Sequence, residues 1–112
     1  MHNPVTEVPE SSSAYLGVEF RDFEGKLALP VSVDYEIKDL TSNTVVRALQ
    51  AVVPPIDSKI TIHLTPTDNA LQNEENRRER RSVTVIANMG GGAQLLDEFR
   101  YAVLNVRSHP TV

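Results

Sequence analysis

Apolar side chains recur at every second position through much of this chain, and a period of two predicts β-strands. Val31, Val33, Tyr35 and Ile37 alternate with Ser32, Asp34, Glu36 and Lys38, so Val31–Lys38 reads as a strand with one face toward a core. Ala14–Arg21 sets Leu16, Val18 and Phe20 against Tyr15, Gly17, Glu19 and Arg21, and Lys59–Leu64 repeats the pattern with Ile60, Ile62 and Leu64. The region Arg80–Val106 holds two more strands, RRSVTVIAN and DEFRYAVLNV, in which Val83, Val85 and Ala87 and then Phe99, Tyr101 and Val103 hold alternate places. The joint Asn88-Met89-Gly90-Gly91-Gly92 between them predicts a β-hairpin.

The breaks in the pattern supply the connections. Asp22–Lys26 is a turn with Gly25 available for a positive φ, and Asp39–Asn43 is a second polar turn. Thr44–Val53 alternates less regularly and is expected to bend or bulge near Arg47–Gln50 before Pro54-Pro55 ends it. Thr65–Arg78 is a long polar connection, with at most one helical turn in Ala70–Arg80, because only Ala70 and Leu71 there can face a core. Met1–Ser13 carries two prolines and three successive serines, with Val5 and Val8 as its core-capable residues, and reads as an extended arm. About six or seven strands without an amphipathic helix predict an all-β fold, an antiparallel sandwich over residues 14–107 with the arm 1–13 before it and a tail 108–112 after it.

Composition narrows the function classes. The 112 residues suit one domain, and aromatics at 5% without tryptophan leave the core to Val, Leu and Ile. A net charge of −4 argues against general nucleic-acid binding through phosphates. With no cysteine, disulfides, thiol nucleophiles and thiolate zinc sites are excluded. No apolar run approaches the roughly 20 residues that cross a bilayer. The start MHNPVTEVPESSS lacks a secretory pattern, which predicts folding in the cytoplasm.

Candidate chemistry is sparse. His63 is expected to point away from Ile62 and Leu64 into solvent, without the oriented partner that a catalytic base needs. Asp34 and Glu36 share a strand face with Lys38, a pattern of cross-strand charge pairing rather than of two carboxylates across a cleft. Asp68–Asn76 is rich in oxygen ligands but lacks the order of a calcium loop. Gly90-Gly91-Gly92 is followed by neither the Lys-Ser/Thr nor the helix of a phosphate loop. Arg77, Arg78, Arg80 and Arg81 are interleaved with Glu74, Glu75 and Glu79, which suits salt bridges within the chain or to a neighbouring protein. On a strand, Arg78 and Arg80 share one face, and Arg77, Glu79 and Arg81 the other. No catalytic, cofactor or metal residue is assigned.

In order along the chain, LPVSVDYEIKDLTSNTVVR, SKITIHLTPTDNAL and RRSVTVIANMGGGAQLLDEFRYAVLNV resemble immunoglobulin-like or fibronectin-III-like sandwiches, in particular the small accessory proteins of tailed-bacteriophage particles. There is no core tryptophan and no cysteine pair. The resemblance implies a non-enzymatic structural protein of a virion, present in many copies, that decorates or cements capsid or tail subunits and binds neither nucleic acid nor membrane. Expected contacts are Pro4, Val5, Val8 and Pro9 of the arm, the four arginines, and the hairpin tip Met89, Gly90, Gly91 and Gly92. The alternative is a carbohydrate-binding or adhesion module, for which Tyr15, Phe23 and Tyr101 are the candidate exposed rings.

Overall fold

The computed structural model describes residues 6–54 and 56–106. They form seven strands: β1 (Thr6–Pro9), β2 (Ala14–Glu19), β3 (Ser32–Asp39), β4 (Thr44–Ala51), β5 (Lys59–Leu64), β6 (Arg78–Gly90) and β7 (Ala93–Leu104). Five make a mixed sheet in the order β1-β7-β6-β3-β4, and β2 pairs antiparallel with β5 in a second sheet. The β1–β7 pairing is parallel, so the expectation of a purely antiparallel fold is corrected at this edge.

Alternation decides which faces meet. Val33, Tyr35 and Ile37 of β3, Val83, Val85 and Ala87 of β6, and Phe99, Tyr101 and Val103 of β7 are buried on one face, with the β3 residues directly opposite those of β6 and Val83 opposite Phe99. Val18, Ile62 and Leu64 from the smaller sheet, and Phe20 just after β2, belong to the same hydrophobic cluster, so the two sheets share one core. Val31 falls outside this pattern: it precedes β3 and is exposed, while Pro30 before it is buried. β4 pairs with β3 through two register shifts, one of them at the pairs Tyr35–Gln50 and Ile37–Arg47, so the strand bulges within Arg47–Gln50.

The hairpin is longer than its sequence pattern, and its turn is shorter. β6 runs on to Gly90 and β7 starts at Ala93, with Gly90 opposite Ala93 across the two-residue turn Gly91-Gly92. Both turn residues have positive φ, 61° and 82°, as a type I′ turn requires. The extra residue is taken up by a register shift between Asn88 and Gly90. Thr65–Arg77 crosses the other end of the domain in turns: the Asn69 amide closes one isolated α-turn on the Thr65 carbonyl, ahead of Ala70–Arg80, and no helix continues from it.

The part of Met1–Ser13 that is described is not a free arm. Thr6–Pro9 lies parallel to Tyr101–Leu104, the Glu10 amide donates to the Leu104 carbonyl, and the Ser11 amide donates to the Asn69 carbonyl. Val8 is buried in the chain's own core. This short strand satisfies part of the β7 edge and hides an apolar side chain, which offsets the entropy lost on ordering it. Pro4 and Val5 lie outside the described residues.

Candidate functional site

The two ends of the domain carry the features that the strand pattern leaves open. At one end, Asp39, Arg81 and Tyr101 stand in register on the core side of the larger sheet. Arg81 is fully buried: its Nε donates to Asp39 Oδ1 at 3.1 Å, and its two terminal nitrogens donate to the Asp68 carbonyl, the Ala70 carbonyl at 2.8 Å and Glu79 Oε1 at 2.6 Å. One guanidinium therefore ties three segments together, using the planar fork that suits carboxylates and carbonyls.

The acids around Arg81 have further donors. Glu79 accepts from the amides of Gln72 (2.9 Å) and Asn73 (3.0 Å) and from Asn76 Nδ2 (2.8 Å). Burial pushes the Glu79 carboxyl up, but these bonds and the one from Arg81 outweigh it and hold the group below its ordinary value. Asp39 accepts from the Ser42 amide and hydroxyl. Asp68 accepts from Arg47 Nε at 2.7 Å and from the Thr65 amide at 2.9 Å, while its own amide donates to Thr65 Oγ1. The bond to Asp68 raises the pKa of Arg47.

Asn69 links this end to the start of the chain. Its Oδ1 accepts from the Tyr101 hydroxyl at 2.8 Å, and its Nδ2 donates to the Ser12 carbonyl at 2.6 Å. Burial is the main reason that the Tyr101 hydroxyl titrates at about 12. Asn105 Nδ2 donates to the carbonyls of Glu74 and Asn76. Among the described residues, no buried side-chain nitrogen or oxygen lacks a hydrogen bond. Asp68, Asn69 and Asn76 of the oxygen-rich loop thus spend their side chains on the fold, and no group of three or more potential metal ligands occurs among the described residues.

This geometry corrects part of the arginine assignment. Arg81 faces inward with Glu79, so it is no partner contact; the parity of the two residues follows the strand, while their burial comes from the loop laid over them. Arg77, Arg78 and Arg80 are exposed, and Arg78 pairs with Glu7 of β1 at 3.3 Å. Pro9 is exposed on β1, whereas Val8, in the core, is not available to a neighbour's pocket.

The opposite end gathers the chain from Phe20 to Val31, the exit of β4 and the hairpin turn. The Val31 amide donates to the Asn88 carbonyl, the Val52 amide to the Val33 carbonyl, and the Phe20 amide to the Ser58 carbonyl. Here Phe23 is 98% exposed and Val53 82%, and Leu29, Val31 and Leu96 are each about two-thirds exposed. Met89 is half-buried, Gly90 is half-buried beside it, and Gly91 and Gly92 are exposed.

The turn that carries Phe23 is firmly built. Asp22 Oδ1 accepts from the amides of Glu24 and Lys26, the Asp22 amide donates to the Lys26 carbonyl, and the Gly25 amide donates to the Asp22 carbonyl. Gly25 has φ 84°, and Arg21 reaches across to the Gly25 carbonyl at 2.7 Å while also pairing with Glu19. Asp22 and Gly25 are legible in the sequence as turn residues. The exposure of Leu29, Val31 and Val53 has a fainter signal: they flank Pro30 and Pro54, where period two stops.

The aromatic candidates for a sugar platform are separated. Tyr101 is buried, Phe23 tips its turn, and Tyr15 stacks on His63 with ring centroids 4.7 Å apart on the exposed face of the smaller sheet. His63 Nε2 lies 3.2 Å from Ser13 Oγ, both on exposed residues. No protein-family model, characterised protein or solved structure matches the chain.

Proposed function

We propose that the chain is a non-enzymatic structural protein that joins a larger protein assembly, with a virion as its setting and capsid or tail subunits as its neighbours. The observation that carries the reading is the hairpin end, where a hydrogen-bonded turn holds Phe23 in water and Leu29, Val31, Val53 and Leu96 are exposed as well. Apolar surface left in water marks a contact surface when it gathers on one side of a molecule. Rigid presentation lowers the entropy lost on docking.

The finer fold reading, an immunoglobulin-like or fibronectin-III-like sandwich, is supported by strand order. β7-β6-β3-β4 facing β2-β5 follows the order G-F-C-C′ facing B-E in that fold, and β1 adds a parallel strand at the β7 edge. The virion setting rests on the strand-pattern resemblance to phage accessory proteins. Quantitative mass spectrometry of purified particles from the source tests it. Recovery in many copies per particle is the expected result, and a chain found in the soluble fraction but missing from particles overturns it.

A second reading, a glycan-binding module, is favoured by the exposed Tyr15 ring stacked on His63. Glycan binding by the purified chain that Tyr15→Ala abolishes is its signature.

A further inference from the structure

A short, strained connection joins β1 to the rest of the chain. Four residues, Glu10–Ser13, link it to β2 in the other sheet. The Ser12 amide donates to the Pro9 carbonyl at 3.2 Å, which closes a tight turn, and Ser11 at its third place has φ 56°. A positive φ at that place suits glycine or asparagine, and a serine adopts it at a steric cost. Two bonds hold the turn in this shape against its strain: the Ser11 amide donates to the Asn69 carbonyl at 2.9 Å, and Asn69 Nδ2 donates to the Ser12 carbonyl at 2.6 Å. The seat of β1 is one that every copy of the chain carries. There Thr6–Pro9 runs parallel to Tyr101–Leu104, Val8 is buried opposite Val103, and Glu7 pairs with Arg78 at 3.3 Å.

We propose that β1 exchanges between two copies of this chain, the Thr6–Pro9 strand of each lying on the β7 edge of the other. The turn opens into an extended link in which Ser11 gives up its positive φ. The ladder with β7, the burial of Val8 and the Glu7–Arg78 pair are all regained on the partner, so the exchange gives up little besides the two bonds to Asn69. Short connections under strain favour such an exchange, and identical elements allow it to be reciprocal. The choice of occupant follows from the seat, because the strand that fits it is the one already lying in it. The inference goes beyond the assembly reading: it uses β1 rather than the hairpin end, and it names a second copy as the partner.

Cross-linking of the full chain tests the proposal, and the absence of cysteine gives it a clean background. Chains carrying Glu7→Cys are incubated at high micromolar concentration with chains carrying Arg78→Cys, then diluted and treated with a short bis-maleimide. Both side chains are about half-exposed, and loss of one surface ion pair leaves the fold intact. Links between the two kinds of chain are expected, well above those formed by Glu7→Cys chains alone. The hinge supplies two opposite shifts in sedimentation equilibrium, where the wild type is expected to show monomer and dimer. Ser11→Pro, whose ring holds φ at about −65° and forbids the closed turn, is expected to tighten the dimer about tenfold or more. Ser11→Gly, which enters the turn without steric cost, is expected to weaken it about fivefold or more.

Linkage no higher than the background overturns the proposal, and so does a dimer that neither substitution at Ser11 shifts. If Ser11→Pro fails to fold, the linkage and Ser11→Gly decide the matter. A chain that exchanges no strand but is recovered in many copies from particles removes this inference and leaves the assembly reading standing; strand exchange by a chain absent from particles does the reverse.

Discussion

The ends of this domain are closed by opposite means. At the Thr65–Arg77 end, Asp68 and Asn69 of the loop and Asp39, Glu79, Arg81 and Asn105 are buried, and hydrogen bonds draw the loop, β6 and the start of the chain together. At the hairpin end, Phe23, Leu29, Val31 and Val53 remain in water, and polar groups serve mainly to shape the turn that holds Phe23. A charged group is costly to bury, so the first end is committed to the fold and tolerates little change. An exposed apolar side chain contributes little to the stability of the lone chain, so the second end is free to serve contacts.

The strongest way to break this contrast is Arg81→Ala. It leaves Asp39 and Glu79 buried without their cation, and the expected loss is about 3–5 kcal/mol in urea unfolding, as for other broken buried pairs. A loss under about 1 kcal/mol, the range of an exposed pair, would put the network on the same footing as the surface.

Acid sharpens the comparison next. The folded carboxyl of Glu79 sits below its ordinary 4.5, so its contribution is fully present above that pH and disappears as pH falls through the folded value. Below pH 4.5 the amides of Gln72 and Asn73 are expected to exchange faster in hydrogen-exchange NMR, while those at the centre of the β6–β7 hairpin stay protected. Glu79→Gln should remove most of this acid response. Equal loosening of both regions would mean that the carboxyl does not govern the loop.

Tyr101→Phe is a smaller perturbation. It removes the hydroxyl that Asn69 accepts, and about 1–2 kcal/mol of stability is expected to go with it. The base side has its own sign: the folded Tyr101 pKa is raised, so its contribution is complete below pH 10 and is lost as pH rises toward about 12. Ultraviolet titration should show one tyrosine ionising late, and this late step should be missing in the variant.

Phe23→Ser or Leu29→Ser should shift monomer stability by no more than about 0.5 kcal/mol, the usual range for a surface change. A thermal-melt shift as large as that of Tyr101→Phe would place these side chains in the packing of the fold and end the contrast.

Local alternation located β3, β5 and the hairpin, because a strand's faces follow from residue parity alone. The same parity put Glu79 with Arg81 and set Arg78 and Arg80 on the other side. The turn at Asp22–Lys26 was equally legible, since Asp and Gly act on their own backbone neighbours. Burial of Arg81 was not, because it depends on Asp39, Asp68 and Ala70, which lie 42, 13 and 11 positions away in the chain. Nor was the docking of Val8, which needs the β7 edge about a hundred residues later.

By itself, then, the sequence determined the all-β class, most strand positions and which side chains share a face, since these are fixed by neighbours in the chain. Only the tertiary structure decided which polar residues enter the interior, where Thr6–Pro9 belongs and which apolar residues stay in water. Those outcomes turn on segments brought together across the fold, where a charge is stable only if its partners arrive with it and an apolar side chain is hidden only if something covers it.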